Sequence, residues 1–305
     1  MRKVQAFLGL ALLVSATGCP QDGGRFNLLR PTGVSPITNE PPPPKEDLVA
    51  YLNRNSELIR GIKSNDVSLT YYGSPIGAIN IGGRLCAQGP RNFRLGANSI
   101  SGPEVDLGSN DHEFWYWIAR GEPKYQVFCS YQALEQGRVQ YMPFPFQPEW
   151  VLEAMGMGKY GPAEKYELVA APGKYKLIEH TKSPQGTPVK KIIVFNSTVS
   201  KNKDEPQVTD FELREEAGDK LICSAHISRR QVLPNSKAEI PREMKLRWPE
   251  AKLELGLQIN NPQETQQFPP QIFVRTPLKG VPSFDLATRQ LEAVQQAGSW
   301  QGPKK

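Results

Sequence analysis

Between Ile79 and Tyr131 the chain runs through five short segments rich in aromatic and β-branched residues, and this stretch limits the fold more than any other. The segments are Ile79-Asn80-Ile81-Gly82-Gly83-Arg84-Leu85, Pro90-Arg91-Asn92-Phe93-Arg94-Leu95-Gly96, Glu104-Val105-Asp106-Leu107-Gly108-Ser109-Asn110, Phe114-Trp115-Tyr116-Trp117-Ile118 and Tyr125-Gln126-Val127-Phe128-Cys129. Gly, Pro, Asn or Ser separates each from the next at about ten-residue spacing, the pattern of an antiparallel meander rather than of alternating helices and strands.

Ahead of the meander, Glu46 to Ile62 places Leu48, Tyr51 or Leu52, Asn55, Leu58-Ile59 and Ile62 at i, i+3, i+4 spacing. Glu46 and Asp47 fall in the first turn and Gly61 near the end, which predicts one amphipathic helix. Strands begin at about Asp66. After Tyr131 the alternation breaks: Pro148 suits a first helical turn and Gly156 or Gly158 its end, so a short apolar helix is expected inside the sheet sequence. Strands are expected again over residues 166–170, 175–179, 190–196, 207–214, 220–229, 243–248 and 252–259, and a closing helix over Asp285 to Ala297. Leu253, Leu255, Leu257 and Ile259 alternate with Lys252, Glu254 and Gln258, giving the sheet one apolar and one wet face. The expected fold is α+β but mostly antiparallel β: a single large curved half-barrel sheet of about eleven or twelve strands, more than a flat sheet tolerates, with helices over its concave face.

The N-terminus carries the most specific motif. Arg2-Lys3 is a basic start, Val4 to Val14 an apolar run too short to span a bilayer, and Ser15-Ala16-Thr17-Gly18-Cys19 a small-residue cleavage site. The arrangement resembles the bacterial lipobox, with Ala16 where that motif usually has Leu. It implies cleavage before Cys19 and diacylation of its thiol; the alternative is an ordinary secretory signal with a chance cysteine. Two or three acyl chains anchor stably where one is reversible. Pro20 is not the Asp that retains some lipoproteins at the inner membrane, which favours the outer membrane. The next residues, through Pro41-Pro42-Pro43-Pro44, read as an extended polyproline tether. The expected organisation is a lipoprotein signal peptide over residues 1–18, a proline-rich tether over 19–45, one folded domain over 46–298 and a tail over 299–305.

A mean hydropathy of −0.48 excludes a multi-span membrane protein. The formal charge of +6, part of it Arg2 and Lys3 in the signal, is too small and scattered to argue for nucleic acid. Beyond Cys19 three cysteines remain, an odd number. Cys129 shares parity with Val127 and Tyr131, and Cys223 with Ala225 and Ile227, so both read as small core residues, while Cys86 has the opposite parity to Ile81 and Leu85. Three free thiols are expected, with one disulfide as the alternative. None of His112, His180 and His226 has a second ligand at zinc-like spacing, and neither a Gly-x-Ser-x-Gly elbow nor a P-loop occurs in the sequence. Asp106 with Asp111 or Glu113 is the one candidate carboxylate pair, though all three read first as solvated turn residues. No metal, cofactor or catalytic group is therefore expected. A hydrolase using Asp111 or His112 is the weakest alternative. Lys190-Lys191 and Arg229-Arg230 are candidate contacts to anionic headgroups, against a default of exposed strand charge.

The order of elements resembles the bacterial lipoprotein carrier LolA and the outer-membrane receptor LolB. Gly82-Gly83-Arg84-Leu85 followed by Pro90 and Phe93-Arg94-Leu95 looks like that family's Gly-x-Leu then Pro-x-x-Phe-Arg strands. Ser109-Asn110, Trp115-Tyr116 and Tyr125-Gln126-Val127 resemble its later Asp-Gly, Trp-x-Tyr and Glu-Gln-Val positions, and Phe273 to Val281 its Phe-x-x-x-Pro-x-x-Gly-Val ending. The likeness spans residues 46–284 and, with an acylated N-terminus, leans to the receptor. One position departs: family carriers commonly place an Arg directly before the strand-linking Pro, where it helps hold a helical lid, and here Gly89 stands there, with Arg91 nearby.

If such a sheet curls, short helices fill its hollow less densely than a second sheet would, leaving an apolar cavity suited to acyl chains. The candidate lining is Ile79, Ile81, Leu85, Phe93, Leu95, Val105, Leu107, Trp115 and Trp117 from the sheet, with Trp150, Leu152, Met155 and Met157 from the covering helix; methionine adapts to varied lipids. The expectation is a membrane-anchored, non-enzymatic envelope lipoprotein that binds acyl chains of lipids or lipoproteins for carriage or membrane insertion, with a periplasmic carrier protein as a candidate partner. The alternative is an envelope scaffold or interaction lipoprotein with a filled core.

Overall fold

A computed structural model describes residues 42–72, 77–139, 141–198, 202, 204–205 and 207–292. The signal peptide, Cys19, nearly all of the tether and the tail lie outside the described residues. The first helix, α1 (Lys45–Glu57), carries Glu46 and Asp47 in its first turn and buries Val49 and Leu52. It stops short of the expected end at Ile62. Ile62 instead opens β1 (Ile62–Tyr71), where it pairs with Ala87 of β2 (Ile79–Gln88) on one side and Glu264 on the other. Two ladders outcompete one more helical turn there.

The meander continues as β3 (Asn92–Ser99), β4 (Gly102–Ser109), β5 (Glu113–Ile118) and β6 (Gln126–Ser130). After an insertion the second run follows: β7 (Tyr166–Ala171), β8 (Lys174–Lys182), β9 (Pro188–Asn196), β10 (Val208–Glu215), β11 (Leu221–Val232), β12 (Glu239–Trp248) and β13 (Leu253–Asn260). Three short strands complete the set: β14 (Gln263–Glu264), β15 (Ser283–Asp285) and β16 (Gln290–Glu292). All join one sheet in the order β16-β15-β6-β5-β4-β3-β2-β1-β13-β12-β11-β10-β9-β8-β7, with β14 on β1. The join between the two runs is the antiparallel β1–β13 pair, Asp66 to Tyr71 against Leu255 to Asn260. The sheet is thus an open, curved half-barrel-like layer, mostly antiparallel, whose end strands do not pair with each other. Its sixteen strands exceed the expected eleven or twelve partly because two- and three-residue strands leave no alternation to read.

Two further expectations are corrected. Residues 285–292 are not helical. Ser283, Phe284 and Asp285 add in parallel to the free edge of β6, and the Asp285 carboxylate accepts hydrogen bonds from Ala287 N–H at 2.9 Å and the Thr288 hydroxyl at 3.0 Å, fixing a turn into β16. The sheet also lacks one uniformly wet face. Behind β2 to β6 the C-terminal segment packs as a strap, with Phe268, Ile272 and Phe273 burying Cys86 in a second small core. Strands covered on both sides lose clean alternation.

Candidate functional site

The insertion between β6 and β7 builds the cover of the apolar face. The helix α2 (Tyr131–Glu135) starts where Ser130 Oγ accepts a hydrogen bond from Ala133 N–H at 3.2 Å. A loop then carries Phe144 and Phe146 to α3 (Pro148–Leu152), which passes into a π-helical turn over Glu153–Met157. That turn breaks at Gly156, whose φ of 84° lies in the left-handed region and whose Cα faces the Asn55 amide and the Glu239 carbonyl, leaving no room for a Cβ. We call residues 142–157 the plug.

The plug's rings meet the sheet directly. Phe144 stands 5.0 Å from Tyr116 and 4.7 Å from Trp248, Phe146 lies 6.3 Å from Phe93, and Trp150 6.3 Å from Trp248, centroid to centroid. Ile81, Leu85, Phe93, Leu95, Val105, Leu107, Trp150, Leu152, Met155 and Met157 all belong to this one buried core, with Ile79 half-buried at its margin. Trp115 and Trp117 do not. They share the opposite parity on β5, so Phe114, Tyr116 and Ile118 take the apolar face in their place.

Few restraints tie the plug down. Arg91 Nε meets Glu149 at 2.8 Å, and its guanidinium lies 4.0 Å over the Tyr131 ring. Lys191 Nζ meets Glu153 at 2.7 Å. Burial holds the Glu153 carboxyl above the ordinary carboxylate range despite that lysine. Beyond the plug, Asn53 of α1 clasps the backbone of Tyr160 with both amide atoms at 3.1 Å, and Asn55 does the same to Glu239 at 2.7 and 2.9 Å. Among the described residues, no backbone hydrogen bond joins the plug to a strand. Beside Gly156, between α1 and β10 to β12, lies a cavity of about 60 Å³.

On the other face, under the strap, sits a buried polar group that the sequence did not announce. Arg94, fully buried, pairs with Asp106 at 2.9 Å and donates to the Val274 carbonyl at 2.7 Å. Gln126 donates to Asp106 at 2.9 Å and accepts from the Ser283 hydroxyl at 3.2 Å. Trp115 lies with its ring 4.9 Å from the Arg94 guanidinium, and Arg275 stacks 3.6 Å over Phe128. Asp106 is therefore no solvated turn residue: burial pushes its pKa up while Arg94 pulls against that. The clue lay in parity, since Arg94 and Asp106 alternate with Leu95 and with Val105 and Leu107.

The other candidates scatter. Cys86, Cys129 and Cys223 are free and buried; the sequence predicts burial for Cys129 and Cys223 but not for Cys86, whose opposite-parity face is covered by the strap, and burial raises the Cys86 thiol to about 12 and Cys129 to about 11, so neither is a ready nucleophile. Asp111 and His112 are exposed, with Asn110 Oδ1 accepting from the His112 N–H at 2.8 Å. His180 pairs with Glu216 at 3.0 Å, and His226 with Asp210 at 2.7 Å. Of the flagged basic pairs, Lys190 meets Asp219, Arg229 meets Asp204 and Glu243, Arg230 meets Glu239, and Lys191 turns inward to the plug. Among the described residues no cluster of His, Cys, Asp and Glu is placed to hold a metal, and no helix is long and apolar enough to cross a membrane.

At the level of sequence, no protein family matches the chain and no curated protein is similar to it. Solved structures are. A domain from Vibrio parahaemolyticus named for outer membrane lipoprotein sorting superposes with a TM-score of 0.46 at 9% identity, covering 75% of this chain and 96% of its own. A LolA superfamily protein from Nitrosomonas europaea gives 0.44 at 8% identity, covering 75% and 97%. A protein of the DUF1329 family from Desulfovibrio piger gives 0.44 at 8%, covering 76% and 96%.

Proposed function

We propose that this chain is a non-enzymatic, lipid-anchored envelope protein that binds acyl chains on the apolar sheet face, with residues 142–157 as a displaceable cover. One observation carries the reading: that cover rests on the sheet through side chains and a few edge ion pairs, with no backbone ladder to break. Four of its large apolar side chains, Phe144, Phe146, Trp150 and Met155, are each buried. Together they hold about 6–12 kcal/mol of transfer free energy. An acyl chain leaving a bilayer gains little from the transfer, so the cover cannot be shed into water. It must lift and close again over the cargo, for which Met155 and Met157 are well suited.

A second feature supports membrane contact. At the β3–β4 hairpin tip Ile100 stands fully exposed between Ser99 and Ser101. An isolated apolar tip with only uncharged neighbours suits shallow insertion into a bilayer during delivery.

The filled-core scaffold is the rival, and the roughly 60 Å³ cavity favours it, since whole-ligand pockets run to about 300–1,000 Å³. Titration with a fluorescent acyl probe separates the two. The binder reading expects saturable uptake that Trp150→Ala weakens, while Trp115→Ala, on the opposite face, lowers stability only. A folded chain that takes up no probe would leave the scaffold.

A further inference from the structure

Next to the plug, Trp150, Ile193 and Phe211 form one wall of a pocket of about 260 Å³ whose other wall is charged. Some of that charge is settled internally. Glu153 pairs with Lys191 at 2.7 Å, and Glu212 with Arg214 at 2.6 Å. Lys159 and Lys165, on the segment that follows the plug, and Glu179 of β8 also line the pocket, and none of the three has an ion-pair partner among the described residues. Both lysines are exposed and Glu179 is half-buried. Glu179 faces Lys191 across the β8–β9 pair, but the Lys191 ammonium makes its close contact with Glu153, so two lysines and one carboxylate without a direct ion pair stand around a pocket with an apolar wall.

We propose that this pocket takes the headgroup of a zwitterionic phospholipid, with the phosphate on Lys159 and Lys165 and the amine on Glu179. This rests on the acyl-binding reading and names its cargo. The volume falls below the range that encloses a whole ligand, so it suits a headgroup whose tails lie elsewhere. Trp150 lines this pocket and also belongs to the plug's core, so the pocket adjoins the apolar face that the cover closes. Two lysines give a phosphate charge-assisted hydrogen bonds, and a carboxylate opposite them distinguishes an amine-bearing phosphodiester from a purely anionic one. Free inorganic phosphate shares the first half of that chemistry but has no amine and no tail.

Native mass spectrometry of the full chain in detergent, titrated with phosphatidylethanolamine, phosphatidylglycerol or diacylglycerol of matched tails, tests it. The expected result is phosphatidylethanolamine bound about tenfold more tightly than diacylglycerol. Lys159→Ala/Lys165→Ala should erase that preference and leave diacylglycerol binding unchanged, and Glu179→Gln should erase the preference over phosphatidylglycerol. Equal binding of phosphatidylethanolamine and diacylglycerol by the native chain, or a preference that survives the lysine substitutions, overturns the headgroup site and leaves acyl binding standing. Binding of no lipid overturns both. In a parallel arm, inorganic phosphate that binds at the two lysines while phosphatidylethanolamine gains nothing from them marks a free-anion site and also overturns the proposal.

Discussion

Replacing Arg91 by Ala removes one direct restraint on the plug, at Glu149, and one on the α2 ring beside it, at Tyr131. Its ion pair to Glu149 spans 2.8 Å, with both side chains about one-third exposed, so solvent screening limits it to about 0.2–1 kcal/mol. Its contact with the Tyr131 ring, 4.0 Å to the centroid, adds about 0.5–1 kcal/mol. Neither interaction touches β10 to β13, and only the Glu149 pair reaches the plug itself, so its loss of about 0.2–1 kcal/mol should fall on plug docking and raise the lifted population about 1.5–5-fold. Hydrogen exchange read by mass spectrometry resolves this. Amides of residues 148–157 should lose protection by that factor, those of β10 to β13 should keep theirs, and acyl-probe uptake should quicken. Equal loss in both regions, or none in the plug, would show that the plug and the sheet open as one unit, and the displaceable cover would be refuted.

Four further outcomes follow from the same geometry. Arg94→Leu strands the Asp106 carboxylate in the covered outer layer and should cost about 3–5 kcal/mol in denaturant unfolding, with Arg94→Leu/Asp106→Leu recovering part of it. Gly108→Ala drives a methyl into the Trp115 ring and should cost about 1–3 kcal/mol by the same measurement, without changing acyl uptake. Glu153 titrates above its unfolded value, so the folded chain binds more protons there. Its contribution should strengthen as pH falls through its raised folded pKa toward the unfolded one, and Glu153→Gln should flatten the pH dependence of stability across that window. Ile100→Glu should leave the melting temperature unchanged and reduce transfer of bound lipid to acceptor vesicles severalfold.

What the sequence makes legible is what repeats with a period. Strand β13 alternates as read, Leu253, Leu255, Leu257 and Ile259 buried and their neighbours half-exposed. Pro148 and Gly156 bracket the helical plug through their own backbone constraints. The run Phe114 to Ile118, in contrast, is buried throughout and so cannot say which face its tryptophans take. That is decided by the strap, whose covering of β2 to β6 depends on contacts such as Asn110 to Phe273 across 163 positions of chain. Strand β15 forms for a related reason: the free edge of β6, far away in sequence, offers a ladder that local helical propensity at Asp285 to Ala287 does not match. Arg91, two residues after Gly89, reaches the plug at Glu149 and α2 at Tyr131, contacts that no local sequence pattern announces.

Photo-crosslinking with a phospholipid that carries its reactive group midway along an acyl chain tests the central claim most directly. The account predicts adducts on the apolar face, at residues such as Leu95, Leu107, Tyr116 and Leu255, and on Trp150 or Met155 of the plug. Adducts confined to the Ile100 tip or the outer face, or none at all on a folded chain, would contradict it.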